Sequence, residues 1–352
     1  MEIDGTRIGP DSPPFFIAEA GVNHNGELKK AKELIDVAAD AGADAVKFQT
    51  FTADRLVTPH ADKADYQTET TGEGGQYEML KQYELDRESH RLLLDYCSKK
   101  DITFLSTPFD RESADMLKQL GVGAIKLGSG ELTNIPLIEH VAKFDLPLIV
   151  STGMGTLEEV EQAYEAIQSV DVGADIVFLH CTSTYPCSPE DVNLRAMETI
   201  KEKLDVSVGY SDHTVLPETP AFAVAAGASI LEKHFTLDST LPGPDHEASL
   251  EPEGLNHAVD LVHTAAQIRG NPRKQPTESE QENIRTIRKS LYAASDLDSG
   301  DSLEESDIAI LRPEDGLSPQ WYDSVIGMKI TQDIPQGKPI TKSDLEIEEG
   351  GL

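Results

Sequence analysis

Ser211, Asp212 and His213 stand side by side in "VGYSDHT", residues 208–214. They are the three residue types of a hydrolase triad. The stretch reads as a β-strand, and successive strand residues point to opposite faces. Gly209, Ser211 and His213 share one face, while Asp212 points away. Three neighbours on one strand therefore cannot assemble a Ser–His–Asp relay. A second run, "SILEKHFT", places His234 on the face opposite Lys233. Two imidazoles at the ends of adjacent strands suit a first-row divalent ion, with substrate and water in the open positions. The competing reading is a pair of hydrogen-bonded rim histidines. His24, His180 and His246 carry weaker signals. Glu19 and Glu131 are the acid/base candidates.

The elements that must hold these residues are legible as short apolar runs alternating with amphipathic segments over residues 14–270. The strand candidates are "PFFIAEAG", "DAVKFQT", "ITFLSTPF", "AIKLGSG", "PLIVSTG", "DIVFLHCTS", "VSVGYSDH" and "SILEKHFT". Helical segments such as "LKKAKELIDVAADAGA" and "ESADMLKQLG" lie between them. The pattern predicts an α/β fold, a (β/α)8 TIM barrel. Each run begins apolar and ends polar: Glu19, Lys47 and Gln49, Ser106 and Thr107, Lys126 and Ser129, Ser151, Ser183, Ser211 and His213, His234. The C-terminal strand ends of this architecture form the active-site mouth. Residues 51–86 make a long polar connection there, either a lid or substrate loop, or a plain surface insertion.

After residue 270 the pattern changes. The boundaries predicted are a barrel domain over residues 1–275, a linker over 276–288 and a small β-rich domain over 289–352. "DLDSGDSLEESDI", from Asp296, is echoed by "DIPQGKPITKSDL", from Asp333. Two copies of one unit predict a pseudo-symmetric module.

Acids outnumber bases by 63 to 30, a formal charge of −33. Phosphate backbones would be repelled, so no nucleic-acid partner is expected. The acids are spread along the chain, which suits a salt-adapted organism with high internal salt. No apolar run approaches the ~20 residues of a membrane span, and residues 1–30 carry no secretory pattern. A cytoplasmic location, without membrane contact, is expected. Cys97, Cys181 and Cys187 form no disulfide framework and read as small buried hydrophobes.

The motifs taken together resemble one family. "IAEAGVNHNG", "AVKFQTF", "STPFD", "KLGSGELTN", "STGMGTLEEV", "HCTSTYP", "GYSDHT", "EKHFT" and "GPDHEASLEP" resemble those of sialic acid synthases, including N-acetylneuraminate, legionaminic acid and pseudaminic acid synthases. The last module resembles the antifreeze-like (SAF) domain of that family. The resemblance covers essentially the whole chain. It implies a transferase that condenses phosphoenolpyruvate with an N-acylated amino sugar, such as N-acetylmannosamine, giving a nine-carbon 2-keto acid and phosphate. A 2,4-diacetamido-trideoxyhexose or a 6-phosphorylated sugar are the alternatives. It also implies a divalent metal, most often Mn2+ with Mg2+ or Co2+ possible, and a domain-swapped homodimer.

The same resemblance carries roles residue by residue. His213 and His234 would hold the metal. Lys126, Ser129, Ser151, Ser183 and Ser211 match the binders of phosphoenolpyruvate. The family often has Asn where this chain has Ser183, whose hydroxyl reaches less far. Glu19, Lys47, Glu131 and His234 fall at catalytic positions. Gln49, Tyr185, Asp245 and Arg312 match sugar contacts, Arg312 from the partner subunit. Two rivals remain open at this point. A Schiff-base aldolase would use Lys126 or Lys233 and need no metal. A non-catalytic ice- or carbohydrate-binding protein would rest on the C-terminal module.

Overall fold

The computed structural model describes residues 1–347. Eight parallel strands form one sheet: β1 (Phe15–Gly21), β2 (Ala45–Thr50), β3 (Thr103–Pro108), β4 (Ile125–Leu127), β5 (Leu148–Ser151), β6 (Ile176–His180), β7 (Ser207–Asp212) and β8 (Ile230–His234). Hydrogen-bonded neighbours run β3, β2, β1, β8, β7, β6, β5, β4. β3 and β4 lie against each other, which closes a TIM barrel.

Alternation along each strand builds two layers. Phe15, Ile17, Ala45, Leu105, Ile149 and Val177 fill the barrel interior, with Ile3 and Ile8 of the N-terminal hairpin packed on them. Phe16, Ala18, Val46, Phe48 and Phe178 face outward onto the helices. Each of the Phe, Ile, Leu and Val side chains among these, fully buried, contributes about 1.5–3 kcal/mol before chain entropy is counted. The helix layer comprises α1 (Leu28–Asp40), α2 (Arg87–Lys99), α3 (Arg111–Leu120), α4 (Ile135–Ala142), α5 (Leu157–Val170), α6 (Ala196–Leu204), α7 (Thr219–Ala225) and α8 (Pro252–Arg269). Local chemistry sets their ends: Asp110 caps α3 through the Ser113 amide, and Thr156 with Glu159 forms a capping box on α5.

Residues 51–86 fold into short helices, Ala53–Leu56, Asp65–Thr71 and Gln76–Lys81. Val22, Phe51, Met79 and Tyr83 form a separate apolar cluster, with Leu56, Leu80 and Phe109 packed against it. The segment is a built cover anchored on the strand ends.

The chain divides into two compact units, residues 1–271 and 272–352. The stretch expected as a linker carries a helix, α9 (Glu278–Ile287), opened by a Thr277–Glu280 capping box. In the second unit β9 (Ser290–Ala293) pairs antiparallel with β10 (Ile308–Leu311) over a core that includes Leu291, Leu303, Val325 and Ile340. The sequence echo is a physical symmetry. Leu297 and Ile334 exchange backbone hydrogen bonds at 2.9 Å each way. The Asp333 carboxylate accepts the Ser299 amide, and the Asp296 carboxylate accepts the Gln336 amide. Glu304 with Asp307 and Thr341 with Asp344 then form matching turns.

No helix among the described residues is long and apolar enough to cross a membrane. Cys97, Cys181 and Cys187 are all buried free thiols.

Candidate active site

The C-terminal strand ends surround a cavity of about 250 Å3. Because inward positions alternate, seven of the eight strands deliver polar residues to one rim, β3 through Thr107; β6 delivers none. β1 brings Glu19, β2 brings Lys47 and Gln49, β4 brings Lys126, β5 brings Ser151, and β8 brings His234. Ser211 and His213 arrive from the end of β7. Ser129, Tyr185 and Asp245 enter from the following loops. Gln67, Met79, Leu80 and Tyr83 close the wall from the 51–86 cover.

At the floor lies a network of buried charges. Lys47 Nζ sits 2.8 Å from Glu19 Oε2 and 3.8 Å from Glu232 Oε2, and donates to Thr107 Oγ1 at 2.9 Å. Lys126 Nζ donates to Ser151 Oγ at 2.7 Å and lies 3.6 Å from Glu232 Oε2. Ser211 Oγ donates to Glu232 Oε1 at 3.1 Å. Burial opposes the charge on Glu232, but the Lys126 and Lys47 ammonium groups hold its pKa well below the usual carboxylate range. Burial also opposes the Lys47 ammonium, and the charges of Glu19 and Glu232 outweigh it, so Lys47 stays protonated. For Glu19 burial wins over the attraction of Lys47 and pushes the pKa up to about 7. Burial lowers the pKa of Lys126, with Glu232 pulling the other way. Asp245, buried and drawn only weakly by Lys47, is pushed up to about 6.

Two small groupings flank this floor. A methyl group at Gly21 would lie 3.3 Å from Asp245 Oδ2, 3.4 Å from Glu19 Oε1 and 3.5 Å from Gln49 Nε2, so these three side chains converge. A methyl at Gly153 would lie 2.2 Å from Ser183 Oγ, 2.8 Å from Ser129 Oγ and 2.9 Å from Cys181 Sγ. Ser129 Oγ accepts the Gly153 amide at 3.0 Å, whereas Ser183 Oγ is buried without a hydrogen-bond partner.

The two histidines meet across β7 and β8 with ring centroids 5.5 Å apart, and the Tyr185 ring lies 4.2 Å from that of His213. His213 Nδ1 faces the Thr182 carbonyl at 2.7 Å, so it must carry the proton and leave the Nε2 lone pair free. His234 Nδ1 is buried with no hydrogen-bond partner. Burial lowers the pKa of both rings, His234 far below the usual value. Two neutral imidazoles, one with an orphaned nitrogen, are a donor set that fits a first-row divalent ion. Among the described residues no group of three or more His, Cys, Asp or Glu side chains is arranged to hold a metal. The remaining positions on such an ion would fall to substrate and water.

Three of the residues assigned from sequence stand apart from the cavity wall. Glu131 lies in the turn after β4, half-buried, with the Asn134 side chain donating to it at 2.6 Å. Ser183 sits behind Ser129 at Gly153. Arg312 is exposed in the second unit. Conversely, the cavity contains residues that the sequence reading left out. Glu232 links both lysines, and alternation two positions before His234 was the signal for it. Thr107 was visible as a polar strand end. Met79 and Tyr83 carried no signal, because their place depends on how the cover folds.

A family model described as the NeuB family matches residues 34–274, and a SAF domain model matches residues 288–346. The N,N'-diacetyllegionaminic acid synthase of Legionella pneumophila is 43% identical over 336 residues, 94% of each chain. The human N-acetylneuraminate-9-phosphate synthase is 33% identical, over 93% of this chain and 91% of that one. The crystal structure of the N-acetylneuraminic acid (sialic acid) synthetase of Leptospira borgpetersenii, in complex with citrate, superposes with a TM-score of 0.72 at 38% identity, covering 81% of this chain and 94% of that one. The chain belongs to the NeuB family and carries a SAF domain.

Proposed function

We propose that this NeuB-family chain condenses phosphoenolpyruvate with an N-acylated amino sugar, forming a nine-carbon 2-keto acid and releasing phosphate. The observation that carries the reading is the rim itself: two buried lysines and their serines beside two neutral, converging imidazoles. In a protein of charge −33, an anionic substrate needs such a concentration of donors.

Lys126, Ser151, Ser211 and the Ser129 turn would receive the phosphate and carboxylate. Glu232, the existing partner of Lys126, Lys47 and Ser211, would keep the lysines oriented until the anion arrives. The sugar aldehyde would lie beyond them, below Tyr185 and the Gln49–Asp245 grouping, so that carbon 3 of phosphoenolpyruvate faces the aldehyde carbon. Glu19, poised near neutrality and paired with Lys47, is placed to hold or release a proton as the new alkoxide forms. Water then adds to carbon 2, and phosphate departs with its bridging oxygen. His213 and His234 would hold a divalent ion, Mn2+ being the first choice, which when bound supplies Lewis-acid polarisation of the aldehyde. Within the sugar class, the apolar wall of Val22, Met79, Leu80 and Phe109 suits a 6-deoxy, 2,4-diacetamido sugar better than one with a 6-hydroxyl or 6-phosphate. Arg312 and a homodimer keep the parts the resemblance implies.

The test is phosphate release from phosphoenolpyruvate with Mn2+ and a panel of N-acetylmannosamine, its 6-phosphate and a 2,4-diacetamido-trideoxyhexose. Release with the last sugar is expected, abolished by EDTA. No release with any N-acyl sugar would reject the reading. Lys126, depressed by burial, is the group a Schiff-base aldolase would use, so its labelling by borohydride with pyruvate would favour that rival. Lys233 is excluded from that role, being fully buried outside the barrel interior.

A further inference from the structure

Behind the two histidines lies a charged pair that the chemistry above does not use. Parallel register sets Lys233 of β8 opposite Asp212 of β7. Alternation turns both toward the helix layer, where their neighbours Tyr210 and Leu231 belong to the apolar core. Neither side chain has any exposed area, and Lys233 Nζ donates to Asp212 Oδ2 at 2.6 Å. The same ammonium donates to the Thr214 carbonyl and, at 3.3 Å, to its hydroxyl. Asp212 Oδ1 accepts the Thr214 amide at 2.9 Å and the Tyr210 hydroxyl at 3.4 Å. The Thr214 hydroxyl is tied onward to Thr219, at the start of α7, at 3.0 Å.

His213 is therefore bracketed by two clamped residues, and His234 directly follows the lysine that clamps them. A buried ion pair is a weak source of stability, because desolvation offsets the attraction and apolar replacements of similar volume are often neutral or better. What this pair does hold is geometry. It locks the 212–214 backbone against β8, and those two segments carry the imidazoles.

We propose that the Asp212–Lys233 pair, with Thr214, is a positioning device that sets the spacing and direction of His213 and His234 for one shared divalent ion. The inference rests on the metal reading of those histidines. It assigns the pair no contact with substrate.

The test measures Mn2+ uptake by the full chain without substrates, following free Mn2+ by electron paramagnetic resonance. Wild type should show saturable binding. The double variant Asp212→Leu/Lys233→Met removes both charges and keeps apolar volume, with circular dichroism and thermal melts reporting its fold. A folded double variant that binds Mn2+ about 10- to 100-fold more weakly supports the proposal. A folded double variant with wild-type affinity overturns it. If the double variant does not fold, Thr214→Val decides, since it keeps the ion pair and removes the hydroxyl anchors. Binding about 3- to 10-fold weaker is expected there, and unchanged binding overturns the proposal. No uptake by wild type would instead reject the metal reading, and the inference with it.

Discussion

Lys126 shows how much one side chain does at this rim. It is buried (2 % exposed), it is hydrogen-bonded to Ser151, and Glu232 supplies its counter-charge. Under the proposed reaction, Lys126→Met would remove a charged donor to the anionic substrate, a contact worth about 1.5–3 kcal/mol. The KM for phosphoenolpyruvate should rise ~10- to 100-fold, read from initial rates of phosphate release, with the sugar KM little changed. Asp245 gives a pH signature. Its carboxyl titrates near 3.8 when unconstrained and at about 6 in the fold, raised by burial against the pull of Lys47. Between those values the folded state holds a proton that the unfolded chain has released, so raising the pH favours unfolding. The penalty begins near pH 4 and is complete above about pH 6. Relative to Asp245→Asn, the wild type should lose up to about 3 kcal/mol across that window. Urea unfolding of both proteins at a series of pH values checks it, and a constant difference would refute it.

The cover over residues 51–86 carries the prediction at the scale of elements. Gly26 has φ of +74°, and a methyl group there would stand 2.3 Å from the Gln82 carbonyl, which is backbone and cannot swing aside. The turn after β1 and the end of the cover thus fit together only because position 26 has no side chain. Gly26→Ala should lower stability by about 1–3 kcal/mol, through the strained φ and the clash. It should also lift the cover from Val22 and Phe51, raising the KM for the sugar more than that for phosphoenolpyruvate. Thermal melts and paired KM measurements test this, and equal changes in both KM values would place the cover outside sugar recognition. The strands and the longer helices were readable because their periods of two and 3.6 recur along the chain. The short helices of the cover were not, since helices of that length are held by partners remote in sequence.

For the molecule as a whole, the governing quantity is the charge of −33. Self-repulsion of that size opposes the compact state, and salt screens it. The midpoint of thermal unfolding should therefore rise by ~5 °C or more between 0.1 M and 2 M KCl, equivalent to about 1–3 kcal/mol for units of this size. Calorimetry checks it, and a flat or falling midpoint would remove salt adaptation as the meaning of the composition. The two units have separate cores, so the effect belongs to each of them.

The sequence alone determined the barrel, the internal repeat of the second unit, and the rim positions of Glu19, Lys47, Lys126, Ser211, His213 and His234, because alternation and apolar patterning are local. It also turned Asp212 away from Ser211 and His213. Tertiary structure decided who meets whom. Only the parallel register of β7 and β8 puts Lys233 against Asp212, and only barrel closure brings Glu232 within reach of Lys47 and Lys126 from three different strands. It set Glu131 and Ser183 off the cavity wall, and it made Met79 and Tyr83 part of that wall. Contacts of this kind are set by strand order and loop folding, and these depend on burial across the whole chain, which no local pattern encodes.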